Sequence, residues 1–227
     1  YAQNFLYLPL IGLSLAIGLL LARWGARETP APRPTPFIAA PVLAALAVAA
    51  YIETGIWRDG VSLFTAWTGR FPHYSLAHSS LGVMLIGRGE PGAAIAPLRK
   101  ALSITERNAE AHYNLGVALL ITGQDRAARE EALSHLRRAA EMIPDLPPAR
   151  VNAAKALLLL DRPAEAEAEA REALRLAPGF PPALVNLAEA LYRQSRYAEA
   201  ADAYSELAGL NPDDVDARSN YVVALIH

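Results

Sequence analysis

The sequence contains no cysteine, which excludes disulfide bridges and thiolate metal sites but leaves the compartment open. Its net charge is only −2, so it lacks the cationic footprint of a nucleic-acid-binding protein, and nucleic acid is not an expected partner. The sequence patterns of zinc proteases, nucleophile elbows, phosphate-binding loops and dinucleotide-binding turns are all missing. We therefore predict no catalytic residue and no cofactor in this chain. What is present is a chain dominated by alanine and leucine.

Two uncharged apolar runs, residues 5–22 and 36–52, lie near the start of the chain. At about 1.5 Å per helical residue, the first can cross the hydrocarbon core of a bilayer, and the second is near the lower limit. The alternatives are a buried helical hairpin, which would need polar faces that neither run has, and a signal peptide, which would need a preceding basic region. We expect two transmembrane helices within a membrane region of residues 1–56.

The linker between the two runs, residues 23–35, carries three arginines against a single glutamate. Short basic loops stay cytoplasmic, so we expect everything after Ile52 to lie on the opposite side, in the periplasm or an equivalent lumen. In a bacterium the membrane would be the inner membrane. The chain begins at Tyr1 and ends at His227 within an apolar run, and we expect it to be part of a longer protein.

A unit of about 34 residues recurs after the apolar region. Position 8 is small, position 20 is alanine, position 24 is apolar and position 32 is often proline. Small residues should let the two helices of a unit approach closely, and larger residues at positions 4, 7, 11 and 24 should fill the gaps between units. Proline should end the second helix. We assign a half-repeat helix to residues 57–74 and repeats to residues 75–227, divided as 75–108, 109–146, 147–180, 181–214 and a partial 215–227.

The pairs Leu81-Gly82 and Leu115-Gly116, together with the alanines at position 20, resemble the tetratricopeptide repeat. This resemblance implies an all-α fold, in which the two transmembrane helices are followed by a right-handed α-solenoid of helix pairs. The second repeat has four extra residues within 125–131, which we expect to lengthen the turn between its helices. In each repeat we call the first helix A and the second helix B.

A second resemblance rests on the segment Gln3–Pro9, the basic loop and the W-x-D-x-x-x-L-F pattern at residues 57–64. It is to membrane O-mannosyltransferase-like proteins with C-terminal tetratricopeptide repeats, whose motif resembles E-R-[YF]-L-Y-L-P. Here amides replace the charged Glu-Arg pair, and the family's acidic catalytic loop is absent from this chain. The resemblance implies that the repeats present acceptor proteins to a glycosyltransferase domain further upstream.

Position 6 of helix A is asparagine in the four repeats after the first: Asn114, Asn152, Asn186 and Asn220. Because an amide both donates and accepts hydrogen bonds, such a column could hold an extended peptide backbone, and it resembles the asparagine ladder of soluble O-linked N-acetylglucosamine transferases. The alternative is that asparagine is simply common in the repeat consensus. Positions 2, 5, 9, 12 and 13 should share this face, which adds Glu110, Tyr113, Val117, Lys155, Val185, Glu189, Tyr192 and Arg193.

Three functions remain open from the sequence. The first is a membrane-anchored scaffold that binds a protein or an extended peptide in the groove of its repeats. The second is the acceptor-binding part of a membrane glycosyltransferase, and the third is an assembly factor for an envelope complex. His78 and His112 share position 4, and we expect them to pack against neighbouring helices rather than to bind a metal.

Overall fold

The computed structural model describes residues 59–210 and 215–226, and all regular structure in that part is α-helical. The chain divides into two compact units, residues 1–70 and residues 71–227. Of the first unit, the described part contains one helix, α1 (Gly60–Arg70), which lies within the predicted half-repeat. The two apolar runs, the linker between them and Trp57 lie outside the described residues. No helix in the described part of the chain combines the length and apolarity needed to cross a bilayer.

In the second unit the described residues form a run of helix pairs. The A helices are α2 (Ser75–Gly87), α4 (Ala109–Thr122), α6 (Pro147–Leu159), α8 (Pro181–Arg193) and α10 (Val215–Ile226), and the B helices are α3 (Pro91–Ile104), α5 (Arg126–Met142), α7 (Pro163–Leu176) and α9 (Tyr197–Leu210). Each helix packs against the next one along the chain. The A helices from α2 to α8 also contact one another in sequence, which places them along the inner side of the stack. The predicted α-solenoid is confirmed.

The turns from helix A to helix B contain three residues in each of the four described repeats. The middle residue is left-handed in three of them, with φ of 81° at Gly89, 58° at Asp161 and 62° at Ser195. The turn of the second repeat is different: it begins at Gly123, which has φ of −79°. A Cβ on Gly123 would lie 2.5 Å from that of Ala128, so this glycine allows a close approach rather than an unusual backbone angle.

The four extra residues of the second repeat do not lengthen the turn, which corrects the prediction. Instead three of them lengthen α5, which has 17 residues against 14 in α3, α7 and α9, and one lengthens α4, which has 14 residues against 13 in α2, α6 and α8. The three residues of α5 are added before Ala132 and amount to nearly one helical turn of about 3.6 residues. Ala132 therefore keeps the fully buried place that Ala166 and Ala200 have in their repeats.

Close packing within a repeat depends on the small residue at position 8. A Cβ on Gly82 would lie 2.4 Å from Cγ of Leu98, and one on Gly116 would lie 2.6 Å from Cγ of Leu136. These leucines, at position 24, are fully buried. The sequence analysis expected position 24 to fill gaps between repeats. The structure shows that it also closes the contact between helices A and B of its own repeat.

Ion pairs between successive B helices follow the repeat. An arginine at position 25 faces a glutamate at position 19 of the next repeat, with distances of 2.7 Å for Arg99–Glu131 and 3.0 Å for Arg137–Glu165. The third pair, Arg171–Glu199, is longer at 3.7 Å. Exposed pairs of this kind contribute little stability each, about 0–1 kcal/mol.

Candidate functional site

A groove of about 460 Å³ lies between the A helices of the third and fourth repeats, α6 and α8. It is built where helix A of one repeat contacts helix A of the next, so its walls come from residues on the inner faces of the two helices. The lining residues are Val151, Asn152, Lys155, Leu158, Leu159, Pro182, Val185, Asn186, Glu189 and Arg193. It is both apolar and charged, a combination that suits recognition of an amphipathic segment.

The structure brings together half of the predicted inner-face residues in this groove: Asn152, Lys155, Val185, Asn186, Glu189 and Arg193. Four others lie on the preceding A helix, α4: Glu110, Tyr113, Asn114 and Val117. Tyr192 lies on α8 but outside the groove lining, where its ring packs edge-on against Tyr197 at a centroid distance of 5.2 Å. The side chain of Asn220 lies outside the described residues.

The asparagines of the column differ in how they bond. Asn114 Nδ2 donates to the Glu110 carbonyl of its own helix at 2.9 Å, and Asn152 Nδ2 donates to the Pro148 carbonyl at 2.9 Å. Asn186 is only 7% exposed, and its Nδ2 reaches across to the Val151 carbonyl of the neighbouring A helix at 2.8 Å. The column is therefore not uniform: Asn186 joins two repeats, whereas Asn114 bonds to its own helix.

Tyr113 connects the second and third repeats at the edge of the groove. Its hydroxyl accepts a hydrogen bond from Asn152 Nδ2 at 3.3 Å. Burial raises the pKa of Tyr113 from its ordinary value, so the hydroxyl is protonated at neutral pH. Tyr113 and Val117 also pack against the main apolar core. These two predicted binding residues therefore have a structural role in addition to any contact with a partner.

The charged side chains of the groove are held in different ways. The Arg193 guanidinium donates to the Leu158 carbonyl at 2.7 Å and to the Glu189 carboxylate, so it is fixed at the end of α6. Lys155 is exposed and forms no ion pair with the described residues. With Glu189 neutralised by Arg193, the Lys155 ammonium is the charge that the groove offers to a partner.

Four apolar residues of the groove were not named from the sequence: Val151, Leu158, Leu159 and Pro182. They occupy positions 5, 12, 13 and 2 of their repeats, and these positions were already assigned to the inner face. Applying that rule to every repeat would have found them. Leu159 and Val185 are 39% and 41% exposed, so part of this apolar wall faces solvent.

The histidines form no metal site among the described residues. His78 is buried, and its Nε2 contacts the Pro72 carbonyl at 3.1 Å. His112 is also buried, but it does more than pack: its Nδ1 lies 2.8 Å from Nδ1 of His135. The sequence analysis did not connect His135 with His112, because the 23-residue spacing does not indicate contact until both helices of the repeat are in place.

Comparison with protein families gives matches along the solenoid. The family described as "TPR repeat" matches residues 82–123. The family described as "Tetratricopeptide repeat" matches residues 151–215 and 185–227. The chain belongs to the tetratricopeptide-repeat proteins. No protein in a comparison with curated sequences matches significantly.

Solved structures agree with this membership at the level of the fold. The tetratricopeptide-repeat protein TTC0263 of Thermus thermophilus is 25% identical, with a TM-score of 0.56 over 82% of this chain and 95% of that one. YrrB, described as a tetratricopeptide-repeat protein with an unusual peptide-binding site, is 19% identical, with a TM-score of 0.61 over 72% of this chain and 82% of YrrB. PilF of Pseudomonas aeruginosa is 22% identical, with a TM-score of 0.59 over 82% of this chain and 87% of PilF.

Proposed function

We propose that this tetratricopeptide-repeat protein is a scaffold that holds an extended segment of a partner protein in the groove between α6 and α8. The observation that carries the proposal is the composition of that groove. Solvent-exposed apolar side chains, Leu159 and Val185, stand beside the Lys155 cation, which has no ion pair within the described residues, and the amide of Asn152. A similar fold in YrrB has a peptide-binding site, which supports the same class of ligand here.

The chemistry of the groove defines the segment that would fit. An apolar side chain would bury the exposed parts of Leu159 and Val185, and a nearby acidic side chain would pair with Lys155. Asn152 Nδ2 already donates both of its N–H groups within the protein, to the Pro148 carbonyl and to the Tyr113 hydroxyl, but its carbonyl oxygen has two lone pairs. This oxygen can accept a hydrogen bond from one backbone N–H of an extended segment, which would orient the segment without reading its sequence.

The test is selection of binders from a displayed peptide library by the full chain in detergent micelles, followed by titration of the enriched peptide. Lys155→Ala should weaken binding about tenfold to a hundredfold, because a charge-assisted contact is worth roughly 1.5–3 kcal/mol. Lys100→Ala is the matched control, since Lys100 is an exposed lysine on the B helix α3. Equal losses in both variants, or selected peptides without acidic and apolar residues, would contradict the proposal.

We also propose that the two apolar runs anchor the solenoid in a membrane, with the repeats opposite the cytoplasm. The support is the sequence of residues 5–22 and 36–52 and the arginine-rich linker between them. An alkaline phosphatase fused after Leu210 should be active in a bacterial host. An inactive fusion, together with an active cytoplasmic reporter at the same residue, would reverse the orientation.

The alternative function, the acceptor-binding part of a membrane glycosyltransferase, is supported by the Gln3–Pro9 segment, the basic loop and the pattern at residues 57–64. In that case the groove would hold the polypeptide that receives the sugar. The complete reading frame distinguishes the two functions. Many further transmembrane spans upstream, with an acidic first loop, would favour the enzyme. If the complete reading frame lacked them, the scaffold function would be favoured. Co-purification with an envelope complex would instead support an assembly factor.

A further inference from the structure

The contact between His112 on α4 and His135 on α5 fixes the protonation of both rings. His112 Nε2 lies 3.0 Å from the Glu106 carbonyl, which can only accept, so Nε2 carries a proton. Neutral His112 then has a lone pair on Nδ1, which lies 2.8 Å from Nδ1 of His135. His135 must therefore donate from Nδ1, and its own lone pair is on Nε2. One hydrogen bond thus joins the two helices through a defined pair of tautomers.

The pair can take up one proton, but not two, without losing its hydrogen bond. After one proton is added, both Nε2 atoms carry a proton and a single proton lies between the two Nδ1 atoms, so the hydrogen bond persists. A second proton sets two N–H groups against each other at 2.8 Å. We propose that the pair makes the second repeat acid-sensitive: it accepts one proton, and a second proton separates α4 from α5.

The charged groups around the pair act in both directions: the arginines oppose protonation and the glutamates favour it. Arg99 on α3 and Arg138 on α5 are both close enough to disfavour a positive ring. Glu131 on α5 lies 3.9 Å from His135 Nε2, but both of its oxygens are already bonded by Arg99, at 2.7 and 2.9 Å. The backbone carbonyl and side chain of Glu106, in the loop before α4, favour the charged form of His112.

Burial is the largest cause of a lowered pKa at both histidines, and the neighbouring ring is the next cause at His135. An unfolded chain takes up protons at the ordinary histidine value of 6.5, before the folded pair does. Since the unfolded state then binds more protons, stability rises with pH across this range. The stabilising effect of the neutral pair is complete above pH 6.5 and is lost as the pH falls below that value.

The experiment is a titration of histidine ring nitrogens by ¹⁵N NMR in the full chain, between about pH 4.5 and about pH 8. We expect the pair to take up one proton first, with the inter-ring hydrogen bond intact. The second proton should follow at lower pH, together with loss of the native resonances of α4 and α5. Independent titration of both rings at the ordinary value, with α4 and α5 unchanged, would overturn the proposal.

A variant gives a second readout. His135→Asn places an amide N–H near the position of Nδ1, so it can still donate to His112 but takes up no proton. Its melting temperature should fall less steeply with acidification than that of the unmodified chain. His73→Asn is the matched control, since His73 is exposed and outside the pair, and it should keep the original steepness. Equal steepness in the His135 variant and the unmodified chain would also overturn the proposal.

Discussion

At the scale of single residues, the packing of this protein depends more on the size of the side chains than on their polarity. The core is built largely of alanine and leucine, and the closest helix contacts occur where glycine or alanine lies opposite leucine. A small residue at position 8 lets the leucine at position 24 lie directly on the backbone of helix A. This contact explains why a sequence with few large aromatic residues still packs densely, because close-packed interiors require matched shapes rather than large side chains.

Gly116→Ala should destabilise the protein by about 1–3 kcal/mol, because the added methyl group would overpack the core. Its Cβ would lie 2.6 Å from Leu136 Cγ and 3.1 Å from the Ala132 backbone oxygen, and the backbone cannot easily yield. Gly92→Ala is the control: its Cβ would meet only Thr122, at 3.7 Å, and alanine favours the helix. Thermal unfolding of both variants measures the two changes in stability. An equal loss of stability in Gly92→Ala would be inconsistent with overpacking.

At the scale of helices and repeats, the sequence pattern accounts for most of what is observed. Proline follows the ends of α5 and α7 by two residues, at Pro144 and Pro178, as its missing N–H requires. Position 20 is alanine in successive repeats, and these side chains are fully buried at Ala132, Ala166 and Ala200. The insertion in the second repeat was misplaced by the sequence analysis, since a local pattern cannot say whether four residues extend a turn or a helix.

Ala132→Leu and Ala200→Leu should each lower stability by about 1–3 kcal/mol, because both side chains are fully buried at the contact of helices A and B. Ala168→Leu should have little effect, since Ala168 is exposed on α7 and leucine is a good helix former. Melting temperatures of the three variants measure the difference. If the melting temperatures of all three variants were equal, the assignment of position 20 to the contact between helices A and B would be wrong.

At the scale of the whole solenoid, polar bonds join neighbouring repeats both along the B helices and on the inner face. On the inner face, Asn186 Nδ2 donates to the Val151 carbonyl and Arg193 donates to the Leu158 carbonyl, and both bonds join the third and fourth repeats. The sequence analysis left two explanations of the asparagine column open, peptide binding and the repeat consensus. In the structure its members divide between bonds within a helix, at Asn114, and bonds between repeats, at Asn186. Peptide binding by Asn114, Asn152, Asn186 and Asn220 stays a prediction, and Asn186 has a structural role besides.

Asn186→Ala should destabilise the protein by about 0.5–1.5 kcal/mol, the net value of a hydrogen bond, and should loosen the joint between α6 and α8. Asn114→Ala should change stability by less than about 0.5 kcal/mol, because Asn114 bonds to its own helix rather than to the next repeat. Chemical denaturation of the two variants gives both values. Should Asn114→Ala cost as much as Asn186→Ala, the asparagines would share one structural role.

The sequence alone determined the repeat, the pairing of helices and the inner face, because these depend on periodicities of three to four residues and on proline positions that act locally. Only the tertiary structure decided which of those inner-face residues form a groove, that Asn186 bonds to Val151, and that His112 meets His135. These contacts join residues 35 and 23 positions apart, and they depend on how helices pack and which rotamers the packing allows. Spacing along the chain does not contain that information.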